Sequence, residues 1–132
     1  MKKAGILALC GLLATMLISF VGTADARPQY KKENEAKYKG SSIEDALKEA
    51  KCNACHYGTG KDNKKNRNDY GKALIKLGLT KENYDAKKGD KEAFEKQIVE
   101  TLEKVLKEKS QDGETFGDRI KAGKLPGTNP EE

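Results

Sequence analysis

The sequence predicts a small all-α domain. Its 132 residues suit a single domain. Apolar side chains recur at intervals of three and four residues in four segments, and no segment shows the sustained alternation of a strand. The 26 basic and 21 acidic residues, with no internal repeat, argue against a polytopic membrane protein or a multidomain enzyme.

Residues 1–26 are predicted to be a secretory signal peptide. Lys2 and Lys3 precede an apolar run over residues 4–22, and small residues flank a cleavage position before Arg27. The alternatives are a retained membrane anchor and lipid attachment at Cys10. Cleavage would leave a periplasmic or otherwise exported protein without stable membrane insertion.

The mature chain opens with a polar segment and then a helix. Residues 27–40 are Lys-rich and have no clear period, so we expect a flexible lead-in. Ser41 and Ser42 have capping-box spacing before a helix that is predicted to run from about Ile43 into Cys52. Glycine, aspartate, asparagine and four basic residues then predict an exposed loop over residues 57–68.

A second helix follows this loop. It is predicted to be opened by Asn68 or Asp69 and closed by Gly78. Its apolar stripe consists of Tyr70, Ala73, Leu74 and Leu77. A polar connection through Asn83 and Gly89 leads to the third helix.

The third and longest helix is predicted to be capped by Asp90. Its apolar face consists of Phe94, Ile98, Leu102, Val105 and Leu106. A short terminal helix around Thr115, Phe116 and Ile120 is stopped by Gly123 and Pro126. Residues 126–132 are then expected to be a frayed C-terminal tail.

The chemistry of the chain is concentrated in a C-x-x-C-H sequence, Cys52-Asn53-Ala54-Cys55-His56. This is the attachment motif for c-type haem. Each thiol can add to one vinyl group of the same porphyrin, forming two thioether bonds, and the adjacent imidazole can bind the iron. We therefore predict Cys52 and Cys55 as covalent haem-binding residues and His56 as the proximal iron ligand.

Two other uses of these residues compete with haem. A zinc site needs four ligands, whereas residues 27–132 contain only Cys52, Cys55 and His56 of the Cys and His type. A redox-active C-x-x-C is expected in a β-α-β context, which the helical periodicity does not provide. The single histidine occupies the one position that the haem motif demands, and the predicted export agrees with covalent haem attachment.

With this motif, the sequence resembles the small single-haem c-type cytochromes. The resemblance is strong over the five motif residues and covers about 90 residues only in helix order. Residues 65–71 and 116–120 also look like stretches of short secreted members. It implies one covalent haem c and an all-α cytochrome c-like domain wrapped around it, placed at residues 41–125. Four-helix cytochromes c′ are not indicated, because their motif lies near the C-terminus.

The sequence does not determine the sixth iron ligand. Both methionines, Met1 and Met16, lie in the signal peptide, and the chain has no second histidine. The position could be empty or filled by water, a lysine amine, a tyrosine oxygen or the new amino terminus of Arg27. Tyr57 and Tyr70 lie closest to the motif in sequence, although packing against the porphyrin is the expectation for both.

A haem would also offset the shortage of core residues. Only 30 of residues 27–132 are apolar, and a porphyrin adds a large apolar disc. The residues expected to pack on it are Leu47, Leu74, Leu77, Phe94, Ile98 and Leu102. Arg67, Lys64 and Lys65 are either counter-charges for the haem propionates or ordinary solvated loop residues.

These features predict a non-enzymatic monohaem cytochrome that transfers electrons in the periplasm. Residues 27–132 carry 24 basic and 20 acidic side chains, so a redox partner protein with an acidic docking surface would fit. Nucleic acid is not an expected partner, because basic and acidic residues are interleaved. The alternatives are a haem that binds a small gas such as nitric oxide, and a haem subunit of a larger redox complex.

Overall fold

The computed structural model describes residues 28–130, apart from the side chains of residues 61 and 62. The predicted signal peptide at residues 1–26 lies outside the described residues. Six α-helices follow in order: α1 (Pro28–Lys37), α2 (Glu44–Ala50), α3 (Asp69–Lys76), α4 (Lys81–Lys87), α5 (Lys91–Val105) and α6 (Phe116–Lys121). Two 3₁₀ turns, Lys51–Ala54 and Gly60–Lys65, lie between α2 and α3. The described part has no strand, which confirms the all-α prediction.

Two apolar clusters form the core. The larger one joins α3, α5 and α6 and consists of Tyr70, Leu74, Leu79, Phe94, Ile98, Leu102, Val105 and Phe116. The smaller one consists of Tyr38, Ile43, Leu47, Ala54 and Ile120. Cys55 packs against both clusters, so the C-x-x-C-H segment lies at their junction. Of the residues predicted to pack on haem, Leu77 is only half-buried and the other five are buried.

The predicted α3, α5 and α6 are confirmed, and their caps explain where they begin. Asn68, Asp90 and Thr115 each accept a hydrogen bond from the backbone N–H three residues later. At the end of α3, Gly78 has φ +108°, a left-handed conformation that favours glycine. The predicted α2 is also found, but its N-cap is Ile43 and makes no side-chain capping bond.

The prediction of a flexible lead-in over residues 27–40 is wrong for residues 28–37, which form α1. Tyr30 and Asn34 lie four residues apart on one face of α1, and Tyr38 follows directly after its last residue. The Tyr30 hydroxyl donates to the Thr80 carbonyl at 3.0 Å, and the Tyr70 hydroxyl donates to Asn34 Oδ1 at 3.0 Å. These bonds hold α1 against α3 and against the residue that caps α4.

Two other segments are more ordered than predicted. The polar connection after Gly78 contains α4, capped by the Thr80 hydroxyl, which accepts from the Asn83 N–H at 3.2 Å. The beginning of the predicted tail is also packed, since Pro126 is fully buried and Thr128 bonds to Asp69. Within residues 28–130, no helix is both long and apolar enough to span a bilayer.

Candidate haem-attachment site

The motif begins at a sharp change of backbone direction after α2. Lys51 has φ +52°, the only positive value among the described residues other than glycine. The chain then enters the 3₁₀ turn Lys51–Ala54, and the Cys52 carbonyl accepts hydrogen bonds from the N–H groups of Cys55 and His56 at 3.2 and 3.0 Å. This turn brings both cysteines and the histidine into one short folded segment, which we call the motif turn (residues 52–56).

The two cysteines have different environments. Both are free thiols; Cys52 is exposed, and Cys55 is partly buried between the two core clusters. Burial raises the pKa of the Cys55 thiol to about 12, with a smaller contribution from the neighbouring Cys52. At neutral pH, Cys55 is therefore a neutral thiol in an apolar setting, while Cys52 faces solvent.

His56 is oriented by the loop that follows it. Its Nδ1 lies 2.8 Å from the Asn66 carbonyl oxygen, and a carbonyl can only accept a hydrogen bond, so Nδ1 carries the hydrogen. In the neutral ring, Nε2 then holds the lone pair that a metal requires. Burial lowers the pKa of His56, and the Arg67 charge lowers it further, against the opposing effect of the Asn66 and Asn63 carbonyls. These effects favour the neutral, metal-binding form.

The loop predicted over residues 57–68 is anchored to the motif turn. Asn63 Nδ2 donates to Asn53 Oδ1 at 2.6 Å and to the Gly58 carbonyl at 2.9 Å. An isolated antiparallel bridge between His56 and Arg67 keeps the Asn66 carbonyl beside the imidazole. Asparagine side chains and backbone pairing therefore hold the histidine ring in one orientation.

The first residues of α3 support the motif turn from the other side. The Asn68 backbone N–H donates to the Cys55 carbonyl and its Nδ2 donates to the Ala54 carbonyl, both at 3.1 Å. The Asn68 side chain also caps α3, because Oδ1 accepts from the Gly71 N–H at 2.9 Å. A Cβ at Gly71 would lie 2.3 Å from the Cys55 carbonyl oxygen, so only glycine allows this close approach.

The other sequence-predicted residues differ in how far they are buried. Arg67 is partly buried beside His56, whereas Lys64 and Lys65 are exposed. Tyr70 is fully buried, and its ring makes an edge contact with Phe116 at 5.3 Å between centroids. Tyr57, next to His56 in the chain, is half-buried.

The residues present suit a c-type haem in their donor chemistry. A haem iron takes four nitrogens from the porphyrin, so a single oriented imidazole from the protein meets its need for a proximal ligand. Cys52 and Cys55 are both free to form thioethers. No three His, Cys, Asp or Glu side chains among the described residues are grouped to hold a metal ion, and a protein zinc site would require such a group.

Sequence reasoning identified Asn68 only as a helix cap and missed Asn66. Asn68 has a second role in binding the carbonyls of the motif turn, which depends on a contact between segments 13 and 14 residues apart. Asn66 acts through its backbone carbonyl, so its side chain carries no signal of this role.

Comparisons with protein-family models, curated proteins and solved structures gave no match to this chain.

Proposed function

We propose that this protein is an exported monohaem c-type cytochrome that transfers electrons. Cys52 and Cys55 would hold the haem covalently, and His56 would be the proximal iron ligand. A haem c, when bound, supplies reversible one-electron exchange at its iron. The helical domain would enclose the haem, as in the cytochromes that the motif resembles.

One observation carries this proposal: the only histidine of the chain follows Cys55 directly and donates from Nδ1 to a backbone carbonyl. A ligand histidine that donates its other ring N–H in this way has a fixed tautomer and a more basic metal-binding nitrogen. A histidine that served only the core would not need to follow two cysteines at this spacing. The motif and the ring orientation therefore support the same chemistry from independent observations.

The distribution of charge supports an acidic redox partner. Residues 51–76 carry seven basic and two acidic side chains, while the rest of residues 27–132 carries 17 basic and 18 acidic ones. One of the two acids, Asp69, is turned inward and hydrogen-bonded. Lys51, Lys64 and Lys72 are exposed and form no ion pair with another described residue. The positive excess thus lies in the segment that contains the motif turn, where it would steer an acidic surface toward the haem.

The test is haem attachment to the full chain expressed in a host that matures c-type cytochromes. We expect an intact mass one haem above that of the processed polypeptide, and no added haem in a Cys52→Ser, Cys55→Ser variant. A His56→Ala variant that retains covalent haem should show a changed coordination state in absorption and resonance Raman spectra. A wild-type mass equal to that of the bare polypeptide would refute the proposal.

A second candidate function is binding of a small gas at the iron. It is favoured by the absence of methionine and of a second histidine from residues 27–132, since these are common strong ligands at the sixth position. Carbon monoxide added to the reduced protein distinguishes the two functions. A rapid and complete spectral shift supports the open site, and an unchanged spectrum supports a firmly held sixth ligand and electron transfer.

A further inference from the structure

The C-terminal segment 126–128, which we call the C-terminal strap, lies directly on the helix start that supports the motif turn. Pro126 is fully buried, and its carbonyl accepts from Arg119 Nε at 3.0 Å. The same guanidinium group bonds to Asp112. The strap is therefore fastened to α6 before it reaches α3.

Asp69 joins the strap to α3 through a dense set of hydrogen bonds. Its Oδ1 accepts from the Thr128 N–H at 2.6 Å, and its Oδ2 accepts from the Thr128 hydroxyl at 2.6 Å. Oδ2 also accepts from the Ser110 hydroxyl at 2.6 Å and the Gln111 N–H at 2.9 Å. The carboxylate thus ties three chain segments together without a salt bridge to a described cation.

Asn68 connects the hydrogen-bonded Asp69 to the motif turn. It is 1% exposed, and its backbone and side chain donate to the Cys55 and Ala54 carbonyls. Gly127 closes over it so tightly that a Cβ at Gly127 would lie 2.3 Å from Asn68 Nδ2. The strap therefore restricts Asn68 both through its covalent neighbour Asp69 and by direct packing.

We propose that Asp69 is a positioning residue for the haem-attachment segment and that the C-terminal strap is the element through which it acts. Asp69 and Thr128 hold Asn68 against the carbonyls of the motif turn, and this fixes the backbone that carries Cys55 and His56. The effect on the haem rests on the proposed function; the coupling between strap and motif turn does not. The strap would keep the imidazole aligned while the protein changes its redox state.

The test is hydrogen exchange at the Asn68 amide, measured by NMR on the full exported chain. The Thr128→Val variant loses the hydroxyl donor to Asp69, and the Thr128→Ser variant keeps it. We expect Thr128→Val to accelerate exchange of the Asn68 amide by about tenfold, because one hydrogen bond to a charged group is lost. Thr128→Ser should leave the rate near the wild-type value.

A matched control separates coupling from a general loss of stability. Thr80→Val removes the capping hydroxyl of α4, a helix that packs on α5, and should leave Asn68 exchange unchanged after correction for global stability. If Thr128→Val fails to fold, Gly127→Ala provides a second probe, because its Cβ must displace the Asn68 side chain. Unchanged Asn68 exchange in the folded variants, or an equal change in Thr80→Val, would overturn the inference.

A second readout reports on the proposed haem. The NMR signals of the His56 ring and the reduction potential should change in Thr128→Val and return to wild-type values in Thr128→Ser. Intact mass tests haem attachment separately. A protein without haem would refute the proposed function while the Asn68 measurement still decides the coupling.

Discussion

The contact between Gly71 and the motif turn yields the most direct test of the site's architecture. In a Gly71→Ala variant, the new Cβ would lie 2.3 Å from the Cys55 carbonyl oxygen and 3.2 Å from the carbonyl carbon. Both atoms belong to the backbone, so no side-chain rotation can relieve the clash. Either α3 or the motif turn must shift.

Two effects of this substitution oppose each other, and their magnitudes determine whether the free energy of unfolding falls or rises. Alanine is favoured over glycine inside a helix by about 0.8–1 kcal/mol. Overpacking in a tight site costs about 1–3 kcal/mol, and a contact with immobile backbone belongs at the upper end. We expect a net loss of about 2 kcal/mol in the free energy of unfolding. That loss corresponds to a fall of roughly 10 °C in melting temperature for a domain of about 100 residues.

The assay is thermal and urea unfolding of the exported protein, followed by circular dichroism. Gly89→Ala is the matched control, because no atom would lie within 4 Å of the added Cβ and the φ of Gly89 is not positive; it should be neutral or slightly stabilising. Gly117→Ala, with the Leu106 carbonyl oxygen at 2.9 Å, should give an intermediate loss. A Gly71→Ala protein as stable as the wild type would refute the close approach of α3 to Cys55.

Three further measurements test the electrostatics of the site. Burial alone would raise the pKa of Asp69, but hydrogen bonds from Ser110, Thr128 and Gln111 outweigh it and lower the pKa below its ordinary value. As pH falls, Asp69 is therefore protonated in the unfolded chain before it is protonated in the folded chain. The stability that Asp69 contributes is complete at neutral pH and is lost through the acid range. The urea midpoint of Asp69→Asn should lie below that of the wild type at neutral pH, and the gap should narrow below about pH 4; a constant gap would contradict this. Redox titration should give a potential below that of histidine-methionine cytochromes, because residues 27–132 contain no methionine and a methionine sulfur bound to iron raises the potential; a strongly positive value would contradict this prediction. At a carboxylate-coated electrode, electron exchange should slow with added salt and slow more in Lys64→Glu, Lys72→Glu than in the control Lys96→Glu, Lys104→Glu; equal effects would argue against a docking face around the motif.

The sequence was sufficient to predict the helices with strong apolar periodicity. In α5, Phe94, Ile98, Leu102 and Val105 are all buried, and Asp90 caps the helix as predicted. These features are local, because a cap and a helical stripe depend on residues within a few positions of each other. The same local logic located α3 and α6.

The two helices that the sequence did not predict, α1 and α4, lack a local apolar stripe. α1 contains few apolar residues and buries Asn34, whose partner Tyr70 lies 36 residues away. α4 has no buried residue, and its Tyr84 makes an edge contact with Phe94 at 5.3 Å. Both helices owe their position to aromatic and polar contacts with distant segments, which periodicity cannot show.

The candidate site also has features that the sequence predicts and features that only the structure shows. The spacing of Cys52, Cys55 and His56 predicts the proposed haem chemistry directly, because haem attachment and iron ligation depend on residue type and order. The orientation of the imidazole depends on a backbone carbonyl ten residues later, and the support of the motif turn depends on Asn68 and the C-terminal strap. Backbone acceptors and long-range packing are absent from a sequence pattern, so only the fold reveals them.

The position of Tyr70 argues against it as a sixth ligand of the proposed haem iron. Burial raises the pKa of its hydroxyl well above the ordinary value for tyrosine, which disfavours the phenolate that binds ferric iron best. The same hydroxyl donates to Asn34, and the ring packs against Phe116, so ligation would require Tyr70 to leave a fully buried position. Its removal from the core would also break the contact between α1 and α3. Tyr70 therefore packs in the larger core cluster; the expectation that its ring packs against the porphyrin stays a prediction. A Tyr70→Phe variant should lose stability and keep its haem spectrum, and a changed coordination spectrum in that variant would contradict this assignment.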